Sequence, residues 1–187
     1  MRGKRRAVFL DRDGVINHAP LRHGRPYPPA TLEEFEVLPG VPEALRALHE
    51  AGFLLIVATN QPDVTNGLQR YETVELMHQR LRETLPLDEI KVCYDMESPV
   101  STRYKPQPGM LLEAARERNI DLPASYMVGD RWRDVGAGKR AGCFTVFIDR
   151  DYAEPLTEIP DATCTDLPQA VAIILRHAGL RPGEGGG

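Results

Sequence analysis

The sequence predicts an α/β fold in which helices cover both faces of a parallel β-sheet. Apolar segments of strand length alternate with segments of helical periodicity along most of the chain, and this alternation is typical of βαβ units. The segment FLLIVAT at 53–59 is a continuous apolar run up to its last residue, Thr59, and contains β-branched residues, as expected of a strand buried on both faces. We therefore expect three layers, with the sheet between two layers of helices.

Six short apolar segments are predicted as strands. The first, AVFL, is followed directly by two acids, and most of the others are followed by polar residues. Parallel strands need long connections, and helices between the strands would supply them. The predicted strands are 7–10, 53–59, 90–94, 125–128, 143–148 and a last short one at 162–165.

Five helices are predicted, and the first two show apolar residues that recur every three to four positions. Val41 and Leu48 mark one such face, and Gly52 ends this helix as a C-terminal glycine commonly does. Pro86 ends the second helix, because proline cannot continue one. The predicted helices are 41–51, 74–85, 109–118, 131–141 and 167–178.

The 187 residues, of which 42% are hydrophobic, predict a single domain over 7–178. We expect no second domain. The basic arm at 1–6 and the glycine-rich tail at 179–187 are expected to be disordered. The segment 18–39, rich in proline, histidine and arginine, is predicted as a long loop, and 95–109 as another.

Composition argues against several classes of function. The net charge is −4, which speaks against general nucleic-acid binding. No apolar run approaches the roughly 20 residues that span a bilayer, so we expect no membrane partner and a cytoplasmic location. Three widely spaced cysteines form no disulfide framework. We expect a monomer.

Two acids, Asp11 and Asp13, stand two positions apart after the first strand. Carboxylates this close repel each other unless they share a proton or a cation lies between them. They can act as an acid/base pair, or they can bind Mg²⁺, which prefers oxygen ligands. They can equally form a turn or cap a helix, where aspartate is common. The motif alone leaves these alternatives open.

Polar residues also follow predicted strands at three further places in the chain. Thr59 and Asn60 end the run FLLIVA, Lys105 lies in the loop before the third helix, and Asp130 and Asp134 lie one helical turn apart after SYMV. Each alone has an ordinary explanation, such as a solvated lysine or acids at a helix N-terminus. Together they fall at the carboxyl ends of parallel strands, where Rossmann-like sheets bind ligands. The set predicts a site that binds phosphate and metal.

These motifs resemble those of the haloacid-dehalogenase-type phosphatases. The resemblance covers about 7–150 and is closest to the capless branch with heptose-bisphosphate and histidinol-phosphate phosphatases. It implies an HAD-like fold without a large cap domain. The matching segments are FLDRDGVIN, LPGVPEALRAL, TNQ at 59–61, KPQPGML at 105–111 and SYMVGDRWRD.

The resemblance implies catalytic roles for four residues. Asp11 would attack phosphorus and form an aspartyl-phosphate, and Asp13 would protonate the leaving alcohol and then activate water. Thr59 and Lys105 would stabilise the phosphoryl group. Covalent catalysis with electrostatic stabilisation suits phosphate-monoester hydrolysis, which is among the slowest uncatalysed reactions.

The resemblance also implies a Mg²⁺ cofactor and a set of ligands. The side chains of Asp11 and Asp130 and the backbone carbonyl of Asp13 would hold the ion, with Asp134 supporting them. Asn60 and Arg131 would contact substrate. The partner would be a small phosphorylated metabolite.

The segment before Lys105 departs from the family pattern. Relatives carry four zinc ligands here, whereas this chain retains only Cys93 and has Asp95, Ser101 and Arg103 at the other positions. A structural zinc site needs four ligands, mostly cysteine and histidine, so we predict no zinc. Tyr104 replaces an arginine that recognises the anomeric phosphate.

Substrate contacts are therefore expected partly from other residues. Arg103 could replace the missing arginine, with Tyr104 beside it. His23, Arg25 and Tyr27 belong to the proline-rich loop at 18–29, which we expect to lie over the entrance of the site.

The sequence leaves several functions open. The leading hypothesis is a Mg²⁺-dependent phosphomonoesterase acting on a heptose bisphosphate, with histidinol phosphate or another small metabolite as the alternative. A catalytically inactive Mg²⁺-binding pseudophosphatase or a receiver-like signalling module is the alternative of another class. A nucleotide-sugar glycosyltransferase would also carry an Asp-x-Asp motif, but it would not explain Lys105 or Asp130.

Overall fold

A six-stranded parallel sheet forms the centre of the computed structural model, which describes residues 3–180. The strand order is β5-β4-β1-β6-β7-β8, and β2 and β3 form a separate pair. In chain order the strands are β1 (Ala7–Leu10), β2 (Leu21–Arg22), β3 (Arg25–Pro26), β4 (Leu54–Asn60), β5 (Glu89–Cys93), β6 (Tyr126–Gly129), β7 (Phe144–Ile148) and β8 (Ala162–Cys164).

Four of the five α-helices connect strands of the large sheet, and the fifth follows β8. Pro42 and Pro168 lie in the first turns of the first and last helix, where the missing N–H of proline has no helical partner to lose. Gly142 ends the fourth helix in the left-handed conformation. The helices are α1 (Val41–Glu50), α2 (Tyr71–Thr84), α3 (Gly109–Arg118), α4 (Trp132–Ala141) and α5 (Leu167–His177).

The hydrophobic core is divided by the sheet into two halves. Val8 and Leu10 of β1 pack on the side of α1, α2 and α5. Ala7 and Phe9 point to the opposite side, where α3 and α4 lie. Successive residues of a strand face opposite sides of a sheet, so a strand that is apolar throughout is buried from both. The three-layer Rossmann-like prediction is confirmed.

The proline-rich segment 18–39 is not entirely a loop, and the prediction was wrong for four of its residues. Leu21 pairs with Pro26 and Arg22 with Arg25 in a short antiparallel hairpin. His23 and Gly24 form its turn with φ values of 52° and 74°. Two successive left-handed residues match the twist of a hairpin. Because only the second is a glycine, the sequence gives a weak signal for this turn.

The strand order reverses at β1. The chain places β4 on one side of β1 and β6 on the other, and both pair with it in parallel. In such sheets ligands bind outside the carboxyl ends of the strands at this point. The ends of β1, β4 and β6 carry Asp11, Asn60 and Asp130, so the sequence-predicted site lies at the reversal.

The first residues described already join the fold. The backbone of Arg5 accepts a hydrogen bond from Asp121 and donates one to Asn119, which bridges Arg5 to Ile120. At the other end, Gly179 and Leu180 of the predicted tail donate to the backbone of Arg176 and Leu175. Residues 1–2 and 181–187 of the predicted tails lie outside the described residues. Within residues 3–180, no helix is both long and apolar enough to cross a membrane.

Candidate active site

Lys105 joins two carboxylates at the carboxyl edge of the sheet. Its Nζ atom donates to Oδ1 of Asp11 at 2.8 Å and to Oδ1 of Asp134 at 2.6 Å. Asp11 follows β1, Asp134 lies in the first turn of α4, and Lys105 comes from the loop between β5 and α3. The lysine is only 2% exposed, so salt and water screen this pair less than a surface pair.

Asp130 completes an acidic group with Asp11 and Asp134. One carboxylate oxygen from each residue lies within 4.8 Å of the others. Tyr152 donates to Oδ2 of Asp130 at 2.8 Å, whereas Oδ1 of Asp130 is buried without a hydrogen-bond partner. An unsatisfied buried acceptor is costly, and a cation would satisfy it. The all-oxygen donor set fits a hard cation such as Mg²⁺.

Gly14 provides the space that Asp130 occupies. It has a φ of +83°, and a Cβ atom placed on it would lie 1.8 Å from Oδ2 of Asp130. A side chain at this position would be strained in its backbone and would collide with the carboxylate. The glycine after the Asp-Arg-Asp motif is therefore required by the site.

The acidic group carries more negative charge than Lys105 neutralises. Burial and the neighbouring Asp134 raise the pKa of Asp11 to about 6, although Lys105 opposes the rise. Burial, Asp11 and Asp134 raise the pKa of Asp130 well above its usual range. Burial disfavours the charge of Lys105, but Asp11 and Asp134 outweigh it and raise the lysine pKa. A divalent cation would compensate the remaining charge.

The carboxylate of Asp13 is held by three side chains. Nη2 of Arg12 lies 3.0 Å from Oδ1 and 3.1 Å from Oδ2. Asn17 donates to Oδ1 at 2.9 Å and Gln61 donates to Oδ2 at 2.8 Å. The side chain stays 17% exposed towards the cleft. A fixed and accessible carboxylate is suited to proton transfer.

Thr59 and Asn60, at the end of β4, both contact other residues of the site. The Thr59 hydroxyl accepts from Nε2 of Gln61 at 3.0 Å, so Thr59 helps to orient Gln61. Asn60 forms two hydrogen bonds with the backbone of Lys105: its Nδ2 donates to the carbonyl at 3.2 Å and its Oδ1 accepts from the N–H at 3.1 Å. Asn60 thus fixes the loop that carries the lysine.

A cleft of about 260 Å³ is lined by five residues of the site, Asp11, Asp13, Asn60, Lys105 and Asp134. Thr59 and Asp130 are buried and are not among its lining residues. Its walls include the cations Arg25, Arg131 and Arg133 and the ring of Tyr104. Arg131 forms a two-point ion pair with Glu154, which also lines the cleft. Arg133 pairs with Glu97 at 2.6 Å and lies 5.7 Å from the centre of the Tyr104 ring.

The structure leaves two proposed substrate residues outside the cleft. His23 is exposed in the turn of the hairpin, while the second strand of that hairpin, with Arg25, and the following Tyr27 face the cleft. Arg103 points to α3, where its Nε lies 3.1 Å from Oε1 of Glu113. Their substrate contacts therefore stay predictions without a geometric basis.

Hydrogen bonds connect the loop that departs from the zinc pattern. The Ser101 hydroxyl donates to Oδ2 of Asp95 at 2.6 Å and accepts from the N–H of Tyr104 at 3.1 Å. Cys93, the last residue of β5 before this loop, is buried, and burial raises the pKa of its thiol. Over residues 3–180, the one cluster of three or more potential metal-ligating side chains is Asp11, Asp130 and Asp134.

Sequence reasoning gave no role to Arg12, Gln61, His78, Tyr152 or Glu154. His78 is buried on the apolar face of α2. A polar residue at such a core position could have been recognised in the sequence. Gln61 belongs to the TNQ segment, but its partner Asp13 could not be identified from spacing. Tyr152 and Glu154 lie in an irregular segment after β7 and gave no signal.

Comparison with known proteins agrees with this geometry. The family described as haloacid dehalogenase-like hydrolase matches residues 22–142. The chain belongs to this family. Within the family it is similar to curated heptose-1,7-bisphosphate 7-phosphatases: it is 32% identical to that of Thermosynechococcus vestitus over 95% of this chain and 99% of the relative. It is 36% identical to that of Escherichia coli K12 over 88% and 93%.

Solved structures of the haloacid dehalogenase-like family are also similar. The D,D-heptose 1,7-bisphosphate phosphatase of B. bronchiseptica, solved with magnesium and phosphate, has a TM-score of 0.78 and 28% identity. The match covers 92% of this chain and 99% of that one. A HAD-like phosphatase from Mesorhizobium loti gives a TM-score of 0.75 and 27% identity, over 92% of this chain and 87% of that one. These named phosphatase relatives identify the chain as a phosphatase.

Proposed function

We propose that this protein is a Mg²⁺-dependent phosphomonoesterase that works through an aspartyl-phosphate on Asp11. The observation that carries the proposal is the contact between Lys105 and Asp11, with the restrained carboxylate of Asp13 beside the same cleft. A carboxylate can attack phosphorus when a neighbouring cation offsets the repulsion between two anions. Lys105 supplies such a cation.

The acidic group would hold the metal ion. The side chains of Asp11 and Asp130, with the backbone carbonyl of Asp13, would be its ligands. Both carboxylate oxygens of Asp134 already accept hydrogen bonds, one from Lys105 and one from the N–H of Arg131, which supports a positioning role for Asp134. When bound, Mg²⁺ would neutralise charge on the phosphoryl oxygens.

The chemistry would follow two balanced steps. A carboxylate oxygen of Asp11 forms a bond to phosphorus as the ester bond to the alcohol breaks, and Asp13 gives its proton to the departing oxygen. Water then attacks phosphorus and loses a proton to Asp13, and the bond from phosphorus to Asp11 breaks. Lys105 and the Thr59 hydroxyl would stabilise the phosphoryl oxygens during both steps.

The leading substrate is D-glycero-D-manno-heptose 1,7-bisphosphate. Curated relatives carry that activity in their names. Arg25, Arg131 and Arg133 line the cleft, and such cations could receive the second phosphate of a bisphosphate. The two remaining expectations, a monomer in the cytoplasm, stay predictions.

A second candidate, histidinol phosphate, is favoured by a different observation. Tyr104 stands where an arginine was expected, and the carboxylates of Asp63 and Glu154 line the cleft. Histidinol phosphate carries an ammonium group on the second carbon from its phosphate ester oxygen and an imidazole ring at the opposite end. Acidic walls would suit these groups better than they would suit a second phosphate.

Phosphate release from a panel of substrates tests the proposal. The panel holds heptose bisphosphate, histidinol phosphate and simple sugar phosphates, each with Mg²⁺ and with EDTA. We expect the wild type to release phosphate with Mg²⁺ and not with EDTA. Asp11→Asn should fold normally and release none. Folded wild-type protein that binds Mg²⁺ but releases no phosphate from any substrate would instead indicate a pseudophosphatase.

A further inference from the structure

A chain of polar groups, buried at Arg12 and His78, leads from Asp13 into helix α2. Nη2 of Arg12 contacts both oxygens of Asp13, while Nη1 of Arg12 lies 3.0 Å from Nε2 of His78. Nδ1 of His78 lies 3.0 Å from Oε1 of Glu75. The Tyr94 hydroxyl donates to the same Glu75 oxygen at 2.9 Å. Four side chains thus connect to the carboxylate of Asp13.

Arg12 depends on this chain because it is completely buried. Its exposed fraction is 0%, and a buried guanidinium needs partners for its N–H groups. Asp13 takes one side of the guanidinium and His78 takes Nη1, while the ring of Phe35 lies 5.8 Å from its central carbon. Removal of His78 would leave Nη1 without the acceptor that fixes its direction.

The hydrogen-bond directions in the chain are determined by its members. A guanidinium carries no acceptor, so Nε2 of His78 must accept from Arg12. Burial and the charge of Arg12 lower the pKa of His78 to about 4, which leaves the ring neutral near pH 7. The single ring proton is then on Nδ1 and is donated to Glu75. Tyr94 fixes Glu75, and Arg82 lies 3.9 Å from its other oxygen.

We propose that His78 is a positioning residue for Asp13: by accepting a hydrogen bond from Arg12, it fixes the guanidinium that aims the Asp13 carboxylate into the cleft. The inference rests on the proposed function, because Asp13 must act as acid and base for its direction to matter. A misdirected acid would impair protonation of the leaving group more than it would impair binding.

The position of the ring nitrogens allows a matched pair of variants. The side-chain oxygen of a glutamine reaches about the place of Nε2, so His78→Gln should keep an acceptor for Arg12. The amide of an asparagine reaches only about the place of Nδ1, so His78→Asn should keep the contact with Glu75 and lose Arg12. Both substitutes are uncharged and polar. Met77→Ala is the structural control, because it removes a fully buried side chain from the same helix.

The readout is the ratio of kcat/KM for two esters that differ in their leaving group. p-Nitrophenolate leaves without protonation, whereas the alkoxide of glycerol 3-phosphate needs a proton from the enzyme. General acid catalysis is typically worth about 10²- to 10⁴-fold. We expect His78→Asn to lose about tenfold or more with glycerol 3-phosphate and less than about threefold with p-nitrophenyl phosphate. His78→Gln and Met77→Ala should keep the wild-type ratio.

The outcomes separate the inference from the function on which it rests. An inactive wild type overturns the proposed function itself. An active wild type in which His78→Asn and His78→Gln have the same ratio as wild type overturns the role of His78, and so does an equal loss with both esters. If His78→Asn does not fold, His78→Gln and Glu75→Gln are measured in its place. Both are expected to keep the wild-type ratio of kcat/KM for the two esters. A changed ratio in His78→Gln overturns the proposal.

Discussion

Lys105 and Asp11 are 94 positions apart in the chain, yet Nζ of the lysine lies 2.8 Å from Oδ1 of the aspartate. The lysine also holds Asp134 at 2.6 Å, so one cation connects the loop after β1, the loop after β5 and helix α4. The contact is buried, and without the lysine the carboxylates of Asp11 and Asp134 would face each other. This arrangement makes the stability of the site depend on Lys105.

Lys105→Met should strongly destabilise the metal-free protein. Breaking a buried ion pair from one side typically costs about 3–5 kcal/mol, because the remaining charge is uncompensated. Urea unfolding in EDTA measures the loss. The control is Lys139→Met, which breaks the part-exposed pair with Asp161 and should cost about 1 kcal/mol or less. Equal losses in the two variants would contradict the prediction.

Asn60→Ala should reduce turnover although Asn60 need not touch the substrate. The change removes both hydrogen bonds to the backbone of Lys105, and an unsatisfied buried backbone group costs about 1–3 kcal/mol. We expect a lower unfolding free energy by that amount and a fall in kcat of roughly tenfold, since about 1.4 kcal/mol corresponds to tenfold. Asn66→Ala, in the exposed loop that follows β4, should change neither. A normal kcat in Asn60→Ala would refute the role.

Ser101→Ala should loosen the loop that departs from the zinc pattern. It removes the hydroxyl that donates to Asp95 and accepts from the N–H of Tyr104, at a cost of about 1–3 kcal/mol in unfolding free energy. Thr102→Ala, at the exposed neighbour, serves as the control. Metal analysis of the wild-type protein accompanies the measurement, and one tightly bound zinc per chain would show that the loop is held differently.

Lowering the pH should destabilise the wild-type protein more than it destabilises the His78→Gln variant. The unfolded histidine takes up a proton near its ordinary pKa of 6.5, whereas His78 in the fold does so only at about 4. Between these values the unfolded state binds more protons, so lowering the pH favours unfolding. The difference in unfolding free energy between wild type and variant should shift by about 2–3 kcal/mol from pH 7 to pH 4.5.

Denaturant unfolding across that pH range checks the shift. Asp11, whose pKa is raised to about 6, works in the opposite direction, because a raised aspartate pKa makes the fold gain stability as the pH falls. This contribution is present in both proteins and cancels in their difference. Two curves that stay parallel from pH 7 to pH 4.5 would exclude the buried neutral state of His78.

The sequence predicted the fold well because its strands and helices each carry their own pattern. β1 and α3 were predicted over their observed ranges, Ala7–Leu10 and Gly109–Arg118. The other predicted elements differ from the observed ones by one to three residues at one or both ends. The hairpin at Leu21–Pro26 was missed because two residues per strand give no periodicity. Its turn also needs a positive φ at His23, and the histidine itself does not indicate that conformation.

The candidate site was predictable only in part. Asp11, Asp13, Lys105 and Asp130 follow strands or lie beside them, and topology brings strand ends together. By contrast, the contact of Tyr152 with Asp130 depends on the path of an irregular segment. Such a contact is decided by three-dimensional packing, which neither spacing nor residue type contains.

The pairing of Arg131 with Glu154 gives the resting cleft an internal counter-ion. An incoming phosphate that uses this guanidinium must compete with a carboxylate from the enzyme itself. Binding at Arg131 would therefore be an exchange of anions rather than the capture of one by a free cation. Small neutral sugars and weakly charged anions would gain little from such an exchange, so the pair would favour ligands with a full phosphate group.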